Sequence, residues 1–278
     1  MPLQETSGNV TTDAYGGGVA AVPNYIEDVF STYLYAGNDT TNNIVNGVDL
    51  STYGGLVWMK SRSSATSNFL CDTARGRQWY LYSNATLAQQ GPSSAGRDLA
   101  TFNTNGFTLG QGAYSDTNYT GTNYASWTFR KQPKFFDIVT WTGDDTNNRA
   151  IPHNLGSAPG CMIVKCTSSS LYWRVYHRSL ASGTVLELDG TYSAFSENAF
   201  PTAPDASNFY LSTNSGVNGS GNTYVAYLFA HNAGGFGLTG TDNVISCGSF
   251  TDTTTVNLGY EPQWVLFKKS SSSSIGDW

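Results

Sequence analysis

Hydrophobic positions along this 278-residue chain recur with a period of two, not every three or four residues. In Tyr224–His231, Val225, Tyr227 and Phe229 alternate with Ala226, Leu228 and Ala230. In Tyr172–His177, Trp173 and Val175 alternate with Tyr172, Arg174 and Tyr176. A period of two puts every second side chain on one packed face of a strand. The runs Met162–Val164 and Trp264–Phe267 are apolar throughout, which predicts strands buried on both faces. Few segments have the Ala/Leu/Glu/Lys character of a long helix.

The pattern repeats at long range. "HNLGSAPGCMIVK" (153–165) returns as "VNLGYEPQWVLFK" (256–268). Gly54–Lys60 is a further version of the strand at Gly160–Lys165, and "GTNYASWTFR" (121–130) matches "GNTYVAYLFA" (221–230). "YAGNDTTNNIV" (35–45), "WTGDDTNNRAI" (141–151) and "FTDTTTV" (250–256) form a third set. Each unit reads as an aromatic-ended strand, a polar Asx/Thr turn, a strand ending in Lys, a middle region and a last strand that starts with Tyr. A period of about 100 residues exceeds that of solenoid repeats and suits a string of similar domains. Gly156 and Gly259 close the turn before the Lys-ended strand, where positive φ is expected. Pro159 and Pro262 stand just ahead of that strand, where a missing N–H costs nothing.

Composition narrows the picture. Charged residues make up 12% and aromatic residues 14%. Disordered chains show the reverse balance, and polar, Gly-rich turns between aromatic strands are the signature of a β-protein. A formal net charge of −6 without a basic run argues against nucleic acid as a partner. No run approaches 18 apolar residues, so no membrane insertion is expected, and the N-terminus lacks the pattern of a signal peptide. Cys71, Cys161, Cys166 and Cys247 form no CxxC pair, which points to buried structural thiols and no zinc site. Sequons occur at Asn9, Asn38, Asn84, Asn118 and Asn218; in a chain this rich in Asn, Ser and Thr they carry little weight.

Motifs for chemistry are sparse. "GFGLTG" (235–240) has the letters of a dinucleotide fingerprint, but a strand-like segment follows it and not a helix. His153, His177 and His231 read as turn or strand-end residues, because a catalytic base needs a positioned partner. Asp144 and Asp145 could offer oxygens to a cation, although an Asx turn explains them and their counterparts in the other units. Asp72, Glu187 and Asp189 are the acids on offer for glycoside hydrolysis, which needs a positioned pair that no pattern selects. No catalytic residue, metal or cofactor is therefore expected. Trp79, Tyr80, Tyr82, Tyr114 and Tyr119 lie among Asn, Asp and Gly, a composition that suits stacking on sugar rings and equally suits ordinary β-sandwich strands.

The phrases "YIEDVFSTYLYAGN", "GGLVWMKSRSSATSNFLCDTARG", "NTNGFTLG", "YVAYLFAHNAGGFG" and "LGYEPQWVLFKK", in this order, resemble a family of repeat-containing tail-fibre or virion structural proteins of tailed bacteriophages of marine and freshwater bacteria, cyanophages especially. The resemblance spans about Tyr25 to the end and implies a β-rich, oligomeric particle component that meets the host surface; it supplies no catalytic residues. The expectation is an all-β chain of tandem, jelly-roll-like β-sandwich domains with an extended N-terminal arm. Residues 1–31 are read as an attachment or oligomerisation arm, 32–134 and 135–236 as two repeats, and 237–278 as the start of an incomplete third, the front of a longer fibre. Expected partners are the chain itself, as a trimer, other virion proteins through the arm, and host surface polysaccharide. The alternatives are a lectin-like glycan-binding module, a head-decoration protein and a tailspike depolymerase.

Overall fold

The computed structural model describes residues 23–92, 98–111, 116–251, 255–271 and 278. Most of the expected N-terminal arm, and Tyr114, lie outside these residues. The fold is nearly all β, as the period-two patterning demands.

The first half contributes β1 (Phe30–Ala36), β2 (Asn42–Val45), β3 (Gly55–Ser61), β4 (Phe69–Asp72), β5 (Tyr80–Tyr82), β6 (Leu99–Asn103), β7 (Gly106–Leu109) and β8 (Asn123–Arg130). The second contributes β9 (Phe136–Thr142), β10 (Arg149–Pro152), β11 (Cys161–Cys166), β12 (Arg174–His177), β13 (Thr184–Glu187), β14 (Phe195–Ser196), β15 (Asn208–Leu211) and β16 (Thr223–Phe229). Each half has one large antiparallel sheet with the same order. The first runs β1-β8-β3-β4-β5 and the second β9-β16-β11-β12-β13-β14. Each also has a small sheet, β2-β7-β6 in the first half and β10-β15 in the second.

The small sheet covers one face of the large one. Val57 and Met59 of β3 join Ile44, Phe107 and Leu109 in one core. Their counterparts Met162 and Val164 of β11 join Ile151, Phe209 and Leu211 in another. The recurring details extend to single contacts. Tyr35 stacks on Tyr124 at 5.0 Å, and Trp141 stacks on Tyr224 at 5.4 Å. Asn118 and Asn218 are fully buried. Asn118 Nδ2 donates to Thr40 O at 2.6 Å and to Asn38 Oδ1 at 3.2 Å. Asn218 Nδ2 donates to Thr146 O at 3.0 Å and to Asp144 Oδ1 at 3.3 Å. These amides pin the two Asx/Thr turns, and their burial removes both sequons as glycosylation sites.

The other face of each large sheet enters a third core that the halves share. Leu56 and Trp58 of β3, Ile163 of β11, and Tyr227 and Phe229 of β16 meet there, with Trp264 and Leu266 packed against them. Among the described residues its 20 buried members outnumber the 16 and 12 of the cores inside each half. At about 1.5–3 kcal/mol per large buried apolar side chain, this shared core is the largest single source of stability.

The third copy of the repeated phrase departs from expectation. Trp264–Phe267 is predicted as a strand buried on both faces, yet no strand forms over it. Trp264 and Leu266 face the shared core, whereas Val265 is 60% and Phe267 64% exposed. The outer face of β3 and β11 is covered by a small sheet; no such sheet covers Val265 and Phe267 among the described residues. Gly156 and Gly259, which close the turn in each phrase, both take positive φ, 68° and 80°.

Candidate functional site

The notable polar chemistry lies where one repeat meets the next. Lys165, the last residue of the repeated phrase, is fully buried. Its Nζ donates to Thr86 O at 2.9 Å, in the first half, and to Leu171 O at 2.5 Å. Burial pulls its pKa down to about 8, against the opposing pull of Asp189. Eight residues on, the fully buried Trp173 donates Nε1–H to Tyr82 O at 3.0 Å, at the end of β5. Gln89 N donates to Thr167 O at 2.9 Å.

The three of these bonds that reach the first half recur one repeat later. Lys268 Nζ donates to Gly190 O at 2.6 Å. Trp278 Nε1 donates to Glu187 O at 2.6 Å, at the end of β13, the strand equivalent to β5. Ala194 N donates to Ser270 O at 3.0 Å. The Lys and Trp of the second and third repeats thus clamp main-chain carbonyls of the repeat before. Carbonyls belong to the backbone, so this docking rule survives divergence of the acceptor side chains. The third stretch also returns to the first half. Trp264 lies 6.2 Å from Trp58 and 5.3 Å from Phe129, ring to ring. Gly237 N donates to Asn24 O at 2.9 Å. Every pair among the three repeats is in contact.

The first junction carries an additional buried network. Asp72 Oδ2 accepts from Arg75 Nε at 2.6 Å and from Tyr227 Oη at 2.8 Å, and Arg75 Nη2 donates to Tyr227 Oη at 3.2 Å. Burial raises the Tyr227 phenol well above its ordinary value, so it stays a neutral donor. Breaking one partner of such a pair typically costs about 3–5 kcal/mol.

The residues singled out in the sequence are dispersed. Tyr80 and Tyr82 lie 5.5 Å apart and pack on Phe69 at 5.1 and 5.0 Å, with edges in the core of the first half. Trp79 lines an open groove of about 390 Å³ between the halves, with Arg75, Gln89, Thr142, Thr167 and Thr223. Tyr119 is 51% exposed, in the turn whose Tyr119 N donates to Tyr124 Oη. Glu187 Oε1 accepts from Arg174 Nη1 at 2.9 Å, and the same guanidinium holds Glu197. Asp189 Oδ1 accepts from Trp173 N at 3.0 Å, and Asp72 is engaged in the network above. Burial raises the pKa of both Glu187 and Asp189. His153, His177 and His231 each accept a backbone N–H at Nδ1. Burial pushes the Cys71 and Cys247 thiols up to about 12, so both stay protonated. Asp144 caps its turn by accepting from Thr146 N at 2.9 Å. Among the described residues no group of His, Cys, Asp and Glu could hold a metal ion, and no helix is long and apolar enough to cross a membrane.

The clamp was not singled out in the sequence. Its signal was present, since Lys60, Lys165 and Lys268 end the three phrases and Trp173 and Trp278 follow two of them. A lysine at a strand end reads as solvated until its acceptor on another repeat is known.

A family model described as a domain of unknown function, DUF7483, matches residues 26–278, and the chain belongs to that family. No curated protein and no solved structure matches the chain.

Proposed function

We propose that the chain is a structural component of a tailed-bacteriophage particle, a tail fibre or appendage protein that contributes to host adsorption. The observation that supports this best is the recurring junction. A chain that places a fully buried lysine, a fully buried tryptophan and a shared apolar core between its repeats is built to bear structure. In this reading 32–134 and 135–236 are jelly-roll-like β-sandwich repeats, 237–278 opens a third, and 1–31 is the arm that meets other virion proteins. The chain acts without a catalytic site and assembles as a trimer. The uncovered apolar side chains Val256, Val265 and Phe267 favour such assembly.

Two measurements test the proposal. Light scattering on the purified chain should give three times 29.9 kDa. Antibody labelling of tailed-phage particles that carry the gene should place gold on the tail. Label confined to the capsid would make it a head protein, and particles free of the protein would overturn the reading.

A further inference from the structure

The groove at the first junction is built from rigid parts. Thr142 and Thr223 are register partners on β9 and β16, and Thr167 Oγ1 lies 2.6 Å from Thr223 Oγ1. Gln89 is tied to this wall through its bond to Thr167 O. Trp79 N donates to Gly76 O, in a turn where Gly76 takes φ of 91°. Side chains held on strands and tight turns are pre-organised for a ligand. The groove's volume of about 390 Å³ lies in the range of ligand clefts, roughly 300–1,000 Å³.

Its chemistry is polar but uncharged. Arg75, whose side chain is 5% exposed, is neutralised by Asp72 at 2.6 Å, and the chain as a whole carries −6. An anion therefore gains little there. Arg75 Nη1 and Gln89 Oε1 are a buried donor and a buried acceptor, neither with a hydrogen-bond partner. A hydroxyl can serve both kinds of group, since it donates one bond and accepts two. Gln89 and Arg75 both line the groove. Trp79 adds a flat apolar ring beside the row of threonine hydroxyls.

We propose that this groove binds a neutral polyhydroxylated ligand, a pyranose unit of an uncharged polysaccharide, with a sugar face on Trp79 and hydroxyls on Gln89 and the threonines. This inference stands independently of the virion reading. The test is calorimetric titration of the full chain with maltotriose, cellotriose and N,N′,N″-triacetylchitotriose, and with trigalacturonate as the anionic comparator. At least one neutral trisaccharide should bind saturably. Thr142→Trp, a substitution at an exposed strand position that fills the groove, should abolish the binding. Trp79→Ala should weaken it at least tenfold with an unchanged circular dichroism spectrum, and trigalacturonate should bind at least tenfold more weakly. No saturable binding of any neutral trisaccharide would overturn the proposal. So would binding indifferent to Thr142→Trp, or a preference for trigalacturonate.

Discussion

Cys161–Lys165 and Trp264–Lys268 carry the same phrase, and only the first is a strand. Both turn alternate side chains into the shared core and both end on a lysine that clamps the repeat before. They differ on the outer face. Met162 and Val164 are fully covered by the small sheet of the second half, whereas Val265 and Phe267 stand in solvent. Each Lys-ended strand therefore needs two surfaces. The inner one comes from neighbouring repeats and the outer one from its own. The shared core and the clamp hold the third stretch in place, and a paired, two-sided strand requires the outer surface as well.

Substitutions can break this comparison, and the largest effect is expected at the first clamp. Trp173→Ala removes a fully buried indole and should cost about 3–5 kcal/mol in denaturant unfolding. Trp278→Ala, at the equivalent position of a one-sided stretch, should cost about 1 kcal/mol. Equal losses would mean that the two junctions do the same work. Next comes the network of Asp72, Arg75 and Tyr227 at the first junction. Asp72→Asn should cost about 3–5 kcal/mol by stranding Arg75. Its double-mutant cycle with Tyr227→Phe should show a coupling of about 0.5–3 kcal/mol across the two halves. A coupling of zero would remove the network from the junction.

A pH effect of intermediate size should appear at Lys165. Its folded pKa of about 8 lies below its ordinary value of 10.5. Between these values the unfolded chain binds the extra proton, so stability rises with pH. The wild-type chain should therefore gain on Lys165→Met between pH 8 and pH 10.5 in paired unfolding curves. A parallel pair of curves would place the ammonium in water. The smallest effect is expected at the uncovered face. Val265→Ser and Phe267→Ser should each change stability by less than about 0.5 kcal/mol, while Val164→Ser, on the covered counterpart, should cost several times more.

Much of the fold was legible in the sequence, because period-two alternation and the positive-φ glycines are local properties. The alternation at Val225, Tyr227 and Phe229 foretold which residues of β16 share a face. The identity of what lies beyond that face was not legible. Nothing local says that Tyr227 reaches Asp72, 155 residues earlier, or that Lys165 finds the carbonyl of Thr86. The aromatic candidates show the same limit. Trp79 and Tyr80 are adjacent aromatic residues, yet Trp79, just ahead of β5, lines the groove, and Tyr80, the first residue of β5, packs against a core. Backbone acceptors leave no mark in a sequence at all, which is why the clamp was visible only as a recurring lysine followed by a tryptophan, with no partner to explain them.

The central claim is that the two complete repeats are joined through one shared core and not strung as independent domains. Native-state hydrogen exchange on the wild-type chain and on Trp173→Ala tests it most directly. The shared core predicts that amides of β3 and β8 lose as much protection as those of β11 and β16, since all open in the same cooperative step. Loss confined to β11 and β16, with β3 and β8 protected as before, would contradict it.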